Sequence, residues 1–148
     1  MNDGKRKVVV VPCSGIGKSF GSVAREAGYE LCDELRPEAT LLVALSKLVL
    51  GEEQAREHVR QSPAITIDGC KLMCAAKLVQ HSGGTAREVA VQDVYRRHKE
   101  LKPDGIAELN QAGKQLARVM AEEIAAVVDD LTGCDAADCD AADRVGRG

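Results

Sequence analysis

Two short runs of β-branched residues constrain this chain more than anything else in it. Val8-Val9-Val10-Val11 leads into Pro12-Cys13-Ser14-Gly15, and Ile65-Thr66-Ile67 leads into Asp68-Gly69-Cys70 with Cys74 shortly after. Each is a short, largely apolar β-branched run that stops at a cysteine among small residues and is followed by helix-like spacing. Strands buried on both faces read this way in parallel sheets, where the alternation of half-buried strands is lost. In an open α/β sheet the carboxyl ends of parallel strands gather along one edge, and ligands bind there. Thiols far apart in sequence can therefore meet in space.

The remaining chain fits that scheme. A buried strand is predicted over residues 7–12 and a helix over 17–31, where Phe20, Val23, Ala24, Ala27 and Leu31 keep helical spacing. Arg36-Pro37 marks a turn. The apolar stretch Thr40 to Leu50 fits strand or buried helix, and a strand at 40–45 suits a βαβ alternation. Glu52 to Arg60 reads as a charged surface helix ending before Pro63. Strand 64–68, helix 70–81 stopped by Gly83-Gly84, and strand 87–95 on the Val89, Val91, Val94 pattern come next. A long helix over 106–131 carries Ile106, Leu109, Leu116, Val119, Met120, Ile124, Val127 and Val128 as its apolar stripe. The order implies an α/β fold, a three-layer sandwich around a small, mostly parallel sheet of about four strands. Residues 1–131 form one domain in this reading, and 132–148 an acidic, flexible tail.

Composition narrows the function classes. The chain has 148 residues, enough for one core, and a chain of this size buries roughly 68–70% of its unfolded surface. Aromatic residues make up 2% and Trp is absent, which argues against stacking on single-stranded bases. A net charge of −3 without a basic stripe argues against duplex binding. No nucleic-acid partner is expected, and no membrane partner, because no run approaches the roughly 20 apolar residues of a span. Lys5-Arg6-Lys7 precedes an apolar run that ends at Pro12 and not at a cleavage site, so a cytoplasmic protein is expected. In that compartment cysteines are metal ligands or catalysts more often than disulfides.

Cys13, Cys70 and Cys74 are the candidate metal ligands. Cys13 and Cys70 are expected at helix entrances, where free N–H groups favour the thiolate. Cys70 and Cys74, four apart, would share one face of one helix. Three thiolates with water or substrate in a fourth place make an open zinc geometry, and four make a closed one. Candidates for the fourth ligand are Cys32, His81, and the tail residues Cys134 and Cys139. Cys32 is handicapped because an unbroken helix would set it about 28 Å from Cys13. His58 and His98 sit in charged segments and read as solvated. Asp68 would support the site from behind or cap the helix carrying Cys70, and Gly15 and Gly69 would let the backbone turn tightly. An iron–sulfur centre could use the same thiols.

Pro12 to Ser19 also imitates a phosphate loop, matching G-x-x-x-x-G-K-[ST] except that Pro12 replaces the first glycine. Pro12 lacks an N–H donor, and Asp68 is the one candidate for holding magnesium, so nucleotide hydrolysis is disfavoured. A weaker anion site at Gly15, Gly17 and Lys18 remains.

Taken together, Cys13-Ser14-Gly15 near the start and Asp68-Gly69-Cys70 followed by Cys74 resemble the DGC-domain family, over about residues 7–131. The resemblance implies a small α/β domain with four chelating cysteines that binds zinc, its biochemical role undefined. Cys13, Cys70 and Cys74 map onto that pattern. The remaining family cysteine is expected near the second strand, where this chain has Leu41-Leu42-Val43-Ala44-Leu45-Ser46. Two other classes stay open: a metal-free thiol enzyme in persulfide or redox transfer, and a non-catalytic interaction module. Partners would be a metal ion and a small molecule or protein that the sequence does not specify.

Overall fold

A computed structural model describes residues 6–15 and 17–133. Four strands form one sheet: β1 (Val8–Pro12), β2 (Thr40–Leu42), β3 (Ala64–Asp68) and β4 (Ala86–Ala90). Their spatial order is β2-β1-β3-β4 and every neighbouring pair is parallel. Val8 pairs with Thr40, Val9 with Ala64, and Ala64 with Ala86, so the strands begin at nearly one level.

The period of two along a strand then sorts side chains into two cores. Val8, Val10, Ile65 and Ile67 face a core made with α1 (Ser19–Tyr29), α5 (Val91–Arg97) and α6 (Gln111–Thr132). Val9, Val11 and Ala64 face a second core made with α2 (Leu45–Val49), α3 (Glu53–Gln61) and α4 (Cys74–His81). The architecture is thus helices, sheet, helices. Val8 to Val11 are essentially unexposed, and each buried valine contributes about 1.5 kcal/mol or more. The valine run therefore anchors both layers at once.

Helix ends follow local chemistry. Asn110 caps α6, its Oδ1 accepting from the Gly113 N–H at 2.8 Å, and Gly133 ends it in the left-handed region at φ 71°. Along α6, Leu116, Met120, Ile124 and Val128 recur every fourth residue and are buried. After Tyr29 the first helix widens into a π-helical stretch, Glu30–Leu35, with the Arg36 N–H bonded to the Leu31 carbonyl at 2.8 Å. That stretch sets Leu31 and Cys32 into the first core. Among the described residues no helix is long and apolar enough to cross a membrane.

Four expectations need correction. The strand expected at 40–45 stops at Leu42, and Leu45 and Leu48, three apart, sit on one buried face of α2 while Leu50 is 82% exposed. The strand expected at 87–95 ends at Ala90, because Val91 and Val94 bury from one face of α5. The long helix begins at Gln111 and not at 106; Ile106 lies before the Asn110 cap and is 54% exposed. Finally, helix α4 begins at Cys74, and residues 69–73 form a turn in which Met73 adopts φ 50°. Cys70 is therefore not on the helix that carries Cys74. The tail reading falls largely on residues 134–148, outside the described residues.

Candidate functional site

The chain leaves β1 for α1 on one face of the sheet and leaves β3 for α4 on the other. These two strands are neighbours, so the segments after them diverge and open a crevice at the carboxyl edge. A cleft of about 150 Å³ occupies that place, lined by Cys13, Lys18, Asp68, Cys70, Leu72 and Cys74 among others. All three cysteines singled out from the sequence line it.

Each is held differently. Cys13 follows β1 directly, and its N–H continues the ladder to the Ile67 carbonyl at 2.8 Å. Its sulfur accepts hydrogen bonds from the N–H groups of Gly69 and Gly15. Cys70 lies in the turn after β3 and is half-buried, its carbonyl accepting from the Met73 N–H at 3.2 Å. Cys74 is the first residue of α4 and is exposed.

Asp68 organises the second segment. It is 1% exposed at the end of β3. Its Oδ1 accepts from the Ala75 N–H at 2.8 Å and its Oδ2 from the Ala76 N–H at 3.1 Å. The carboxylate thus fills the N-terminus of α4, where Met73 offers no side-chain cap. The expected capping role is there, on the helix carrying Cys74 and not Cys70. Because both oxygens are engaged, Asp68 is poorly placed to hold magnesium for a nucleotide.

The electrostatics differ from expectation at Cys13. Burial pushes its thiol above the ordinary cysteine value, and the charges of Asp68 and Cys70 add to this. The two N–H groups pull the other way without winning. Cys13 is not at a helix entrance in the required sense, since Gly15, Gly17 and Lys18 intervene before α1 begins at Ser19. Burial also pushes the Asp68 carboxyl up, against its two N–H donors and with help from Glu88.

The residues fit a soft metal ion in donor chemistry. Three sulfurs border one cleft, one already surrounded by N–H donors suited to a thiolate. They do not form a closed cage: among the described residues no three His, Cys, Asp or Glu side chains are gathered closely enough to hold an ion. Cys32 is no candidate for a fourth place. It is buried in the first core and bonded to the Thr40 side chain. Thr40 pairs with Val8 at the start of β1, so the length of that strand, about 16 Å, separates Cys32 from the cleft. His81 ends α4, about 10 Å along the axis from Cys74. His58 and His98 are half-buried and line no part of the cleft. Cys134 and Cys139 lie outside the described residues.

Of the weak anion site, Gly15 and Lys18 line the cleft and Gly17 does not. Sequence reasoning missed two lining residues, Gly21 and Leu72. Leu72 is 62% exposed and places an apolar side chain at the mouth. No periodicity flags it, because it sits in the turn. Gly21 was legible only as an unexplained glycine near the start of a helix.

The pattern of the DGC domain matches residues 9–112. The chain belongs to the DGC domain family. The match runs from within β1 to the first turn of α6 and takes in every residue of the cleft. No curated protein and no solved structure is significantly similar to the chain. In this DGC domain, Asp68-Gly69-Cys70 accordingly has a structural reading. The aspartate seats one helix, the glycine donates to the Cys13 sulfur, and the cysteine borders the cleft.

Proposed function

We propose that this DGC domain binds a thiophilic metal ion, zinc in the first instance, through Cys13, Cys70 and Cys74. The observation that carries the reading is their placement on one cleft at the β1–β3 crevice, although they come from two distant segments. A bound zinc ion supplies Lewis acidity and an open position when three protein ligands hold it. The protein's own residues do the rest. Gly69 and Gly15 donate to the Cys13 sulfur and so favour its thiolate form once a cation offsets the cost of burial. Asp68 fixes the start of α4, and with it the backbone of Cys74.

The raised Cys13 thiol disfavours a metal-free enzyme with that residue as a low-pKa nucleophile. An iron–sulfur centre would use the same thiols, and elemental analysis separates the two metals. The test is the zinc and iron content of protein purified without oxygen, for the wild type, Cys13→Ser and Cys70→Ser. Near-stoichiometric metal in the wild type, lost in both variants, is expected. Equal metal in all three refutes the reading. Thiol alkylation with and without chelator provides the second arm: protection that chelator relieves supports metal, and protection unchanged by chelator opposes it.

A further inference from the structure

We infer that Gly21, which lies outside the cysteine motifs, is a positioning residue that sets the spacing between Cys13 and Cys70. The inference rests on the reading of these cysteines as one functional set, but its test does not require a metal. The turn carrying Cys13 and the turn carrying Cys70 both rest on the backbone of residue 21. A Cβ placed on Gly21 would stand 2.4 Å from the Gly15 Cα and 2.9 Å from its carbonyl carbon. A Cβ on Gly15 would stand 2.6 Å from the Gly21 carbonyl oxygen, and one on Gly69 would stand 2.6 Å from the Gly21 nitrogen. The Gly21 backbone is therefore in close contact with Gly15 on one side and Gly69 on the other, and each clash is with main chain that no rotamer change can clear.

This contact places the sulfurs. Gly15 is two residues from Cys13, and Gly69 directly precedes Cys70 while donating its N–H to the Cys13 sulfur. A methyl group on residue 21 needs roughly 3.5 Å to its carbon neighbours, so a turn must move by about 1 Å. Metal–ligand distances hold to about 0.2 Å, and a disulfide needs its Cβ atoms within a window only about 1 Å wide. A displacement of that size decides whether two thiols can act together.

The test measures the thiol pair directly, in the full chain with Cys32, Cys74, Cys134 and Cys139 changed to serine and with chelator present. In a glutathione redox buffer, one thiolate attacks oxidised glutathione and expels a glutathione thiolate. The second protein thiolate then displaces the other glutathione. The protein dithiol becomes a disulfide, oxidised glutathione becomes two reduced molecules, and the two protons pass to them. The equilibrium ratio gives the effective concentration of Cys13 toward Cys70. Gly21→Ala should lower it at least about tenfold, and Gly69→Ala, which disturbs the same contact from the other side, should do likewise. Gly84→Ala is the control. Its Cβ would meet the Val59 carbonyl oxygen at 2.4 Å, ahead of β4 at the opposite edge of the sheet, and the effective concentration should stay within about twofold of the parent.

The inference is overturned if Gly21→Ala matches the parent, if Gly84→Ala falls equally, or if the parent pair does not oxidise internally. Unfolding of Gly21→Ala and Gly69→Ala with Gly84→Ala still folded also overturns it, because the contact would then hold the fold and not the spacing. Zinc competition in the chain with all its cysteines, where Gly21→Ala should bind at least about tenfold more weakly, reads the metal separately. A parent that binds no zinc but passes the glutathione test removes the metal reading and leaves the role of Gly21 intact.

Discussion

Replacing Asp68 tests whether one buried carboxylate builds the start of α4. Asp68→Ala removes two hydrogen bonds, of 2.8 and 3.1 Å, and leaves the buried N–H groups of Ala75 and Ala76 without an acceptor. Hydrogen bonds to a charged group contribute about 1.5–3 kcal/mol each, while loss of an ordinary helix cap costs about 1 kcal/mol. Burial holds the Asp68 carboxyl above its usual range, so the charge itself is kept at a cost that the alanine relieves. The expected net loss is therefore near the lower end, about 2–3 kcal/mol at neutral pH. Asp68→Asn keeps one acceptor oxygen and sheds the charge, and should lose about 1–2 kcal/mol. Urea unfolding followed by far-UV circular dichroism, with chelator and reductant so that no ligand contributes, measures both. Amide exchange at Ala75 and Ala76 should quicken in the alanine variant before global stability is exhausted. A loss below about 0.5 kcal/mol for Asp68→Ala would refute the reasoning. So would an asparagine variant weaker than the alanine one.

Alkylation of Cys13 in the metal-free protein should rise with pH around a midpoint above that of an ordinary cysteine. The sign for stability follows: the folded chain holds the Cys13 proton more tightly than the unfolded one, so this contribution is full below the unfolded cysteine value and lost as pH rises through the folded one. Urea titrations on the alkaline side should show the decline in the wild type and less of it in Cys13→Ser. Asp129 is buried at the end of α6, and Arg36 Nε and an Nη reach its two oxygens at 2.8 Å each. Asp129→Ala should cost about 2–3 kcal/mol in unfolding free energy, below the full buried-pair figure because the Arg36 side chain is partly exposed. Cys32→Ser should leave metal content unchanged by elemental analysis, because Cys32 sits in the core across the sheet from the cleft.

The sequence made the central strands legible because Val8–Val11 and Ile65–Ile67, buried on both faces, are β-branched at every position, Thr66 included. It made the cleft legible because a parallel sheet brings the ends of β1 and β3 together, whatever the loops do. The peripheral elements were less readable for a definite reason. Leu45, Leu48, Val91 and Val94 each bury on one core only, over segments too short for a helical period to outweigh alternation. The α6 start carried a usable signal in Asn110, a good cap, which a lone apolar Ile106 obscured. The Cys70–Cys74 spacing suggested one helix face, but the left-handed Met73 and the long-range Asp68 cap break the helix between them. A capping role for Asp68 was legible, but its reach to Ala75, seven residues on and past the turn that holds Cys70, was not.

The sheet is open, with two free edges. On one side β2 is only Thr40–Leu42, and on the other β4 carries exposed Arg87 and Glu88, which point to opposite faces of the sheet. A stub and a charged border are poor templates for the strand of another molecule, so cross-chain zippering and aggregation are discouraged. The DGC domain can therefore carry an exposed thiol at Cys74 without also offering adhesive backbone to its neighbours.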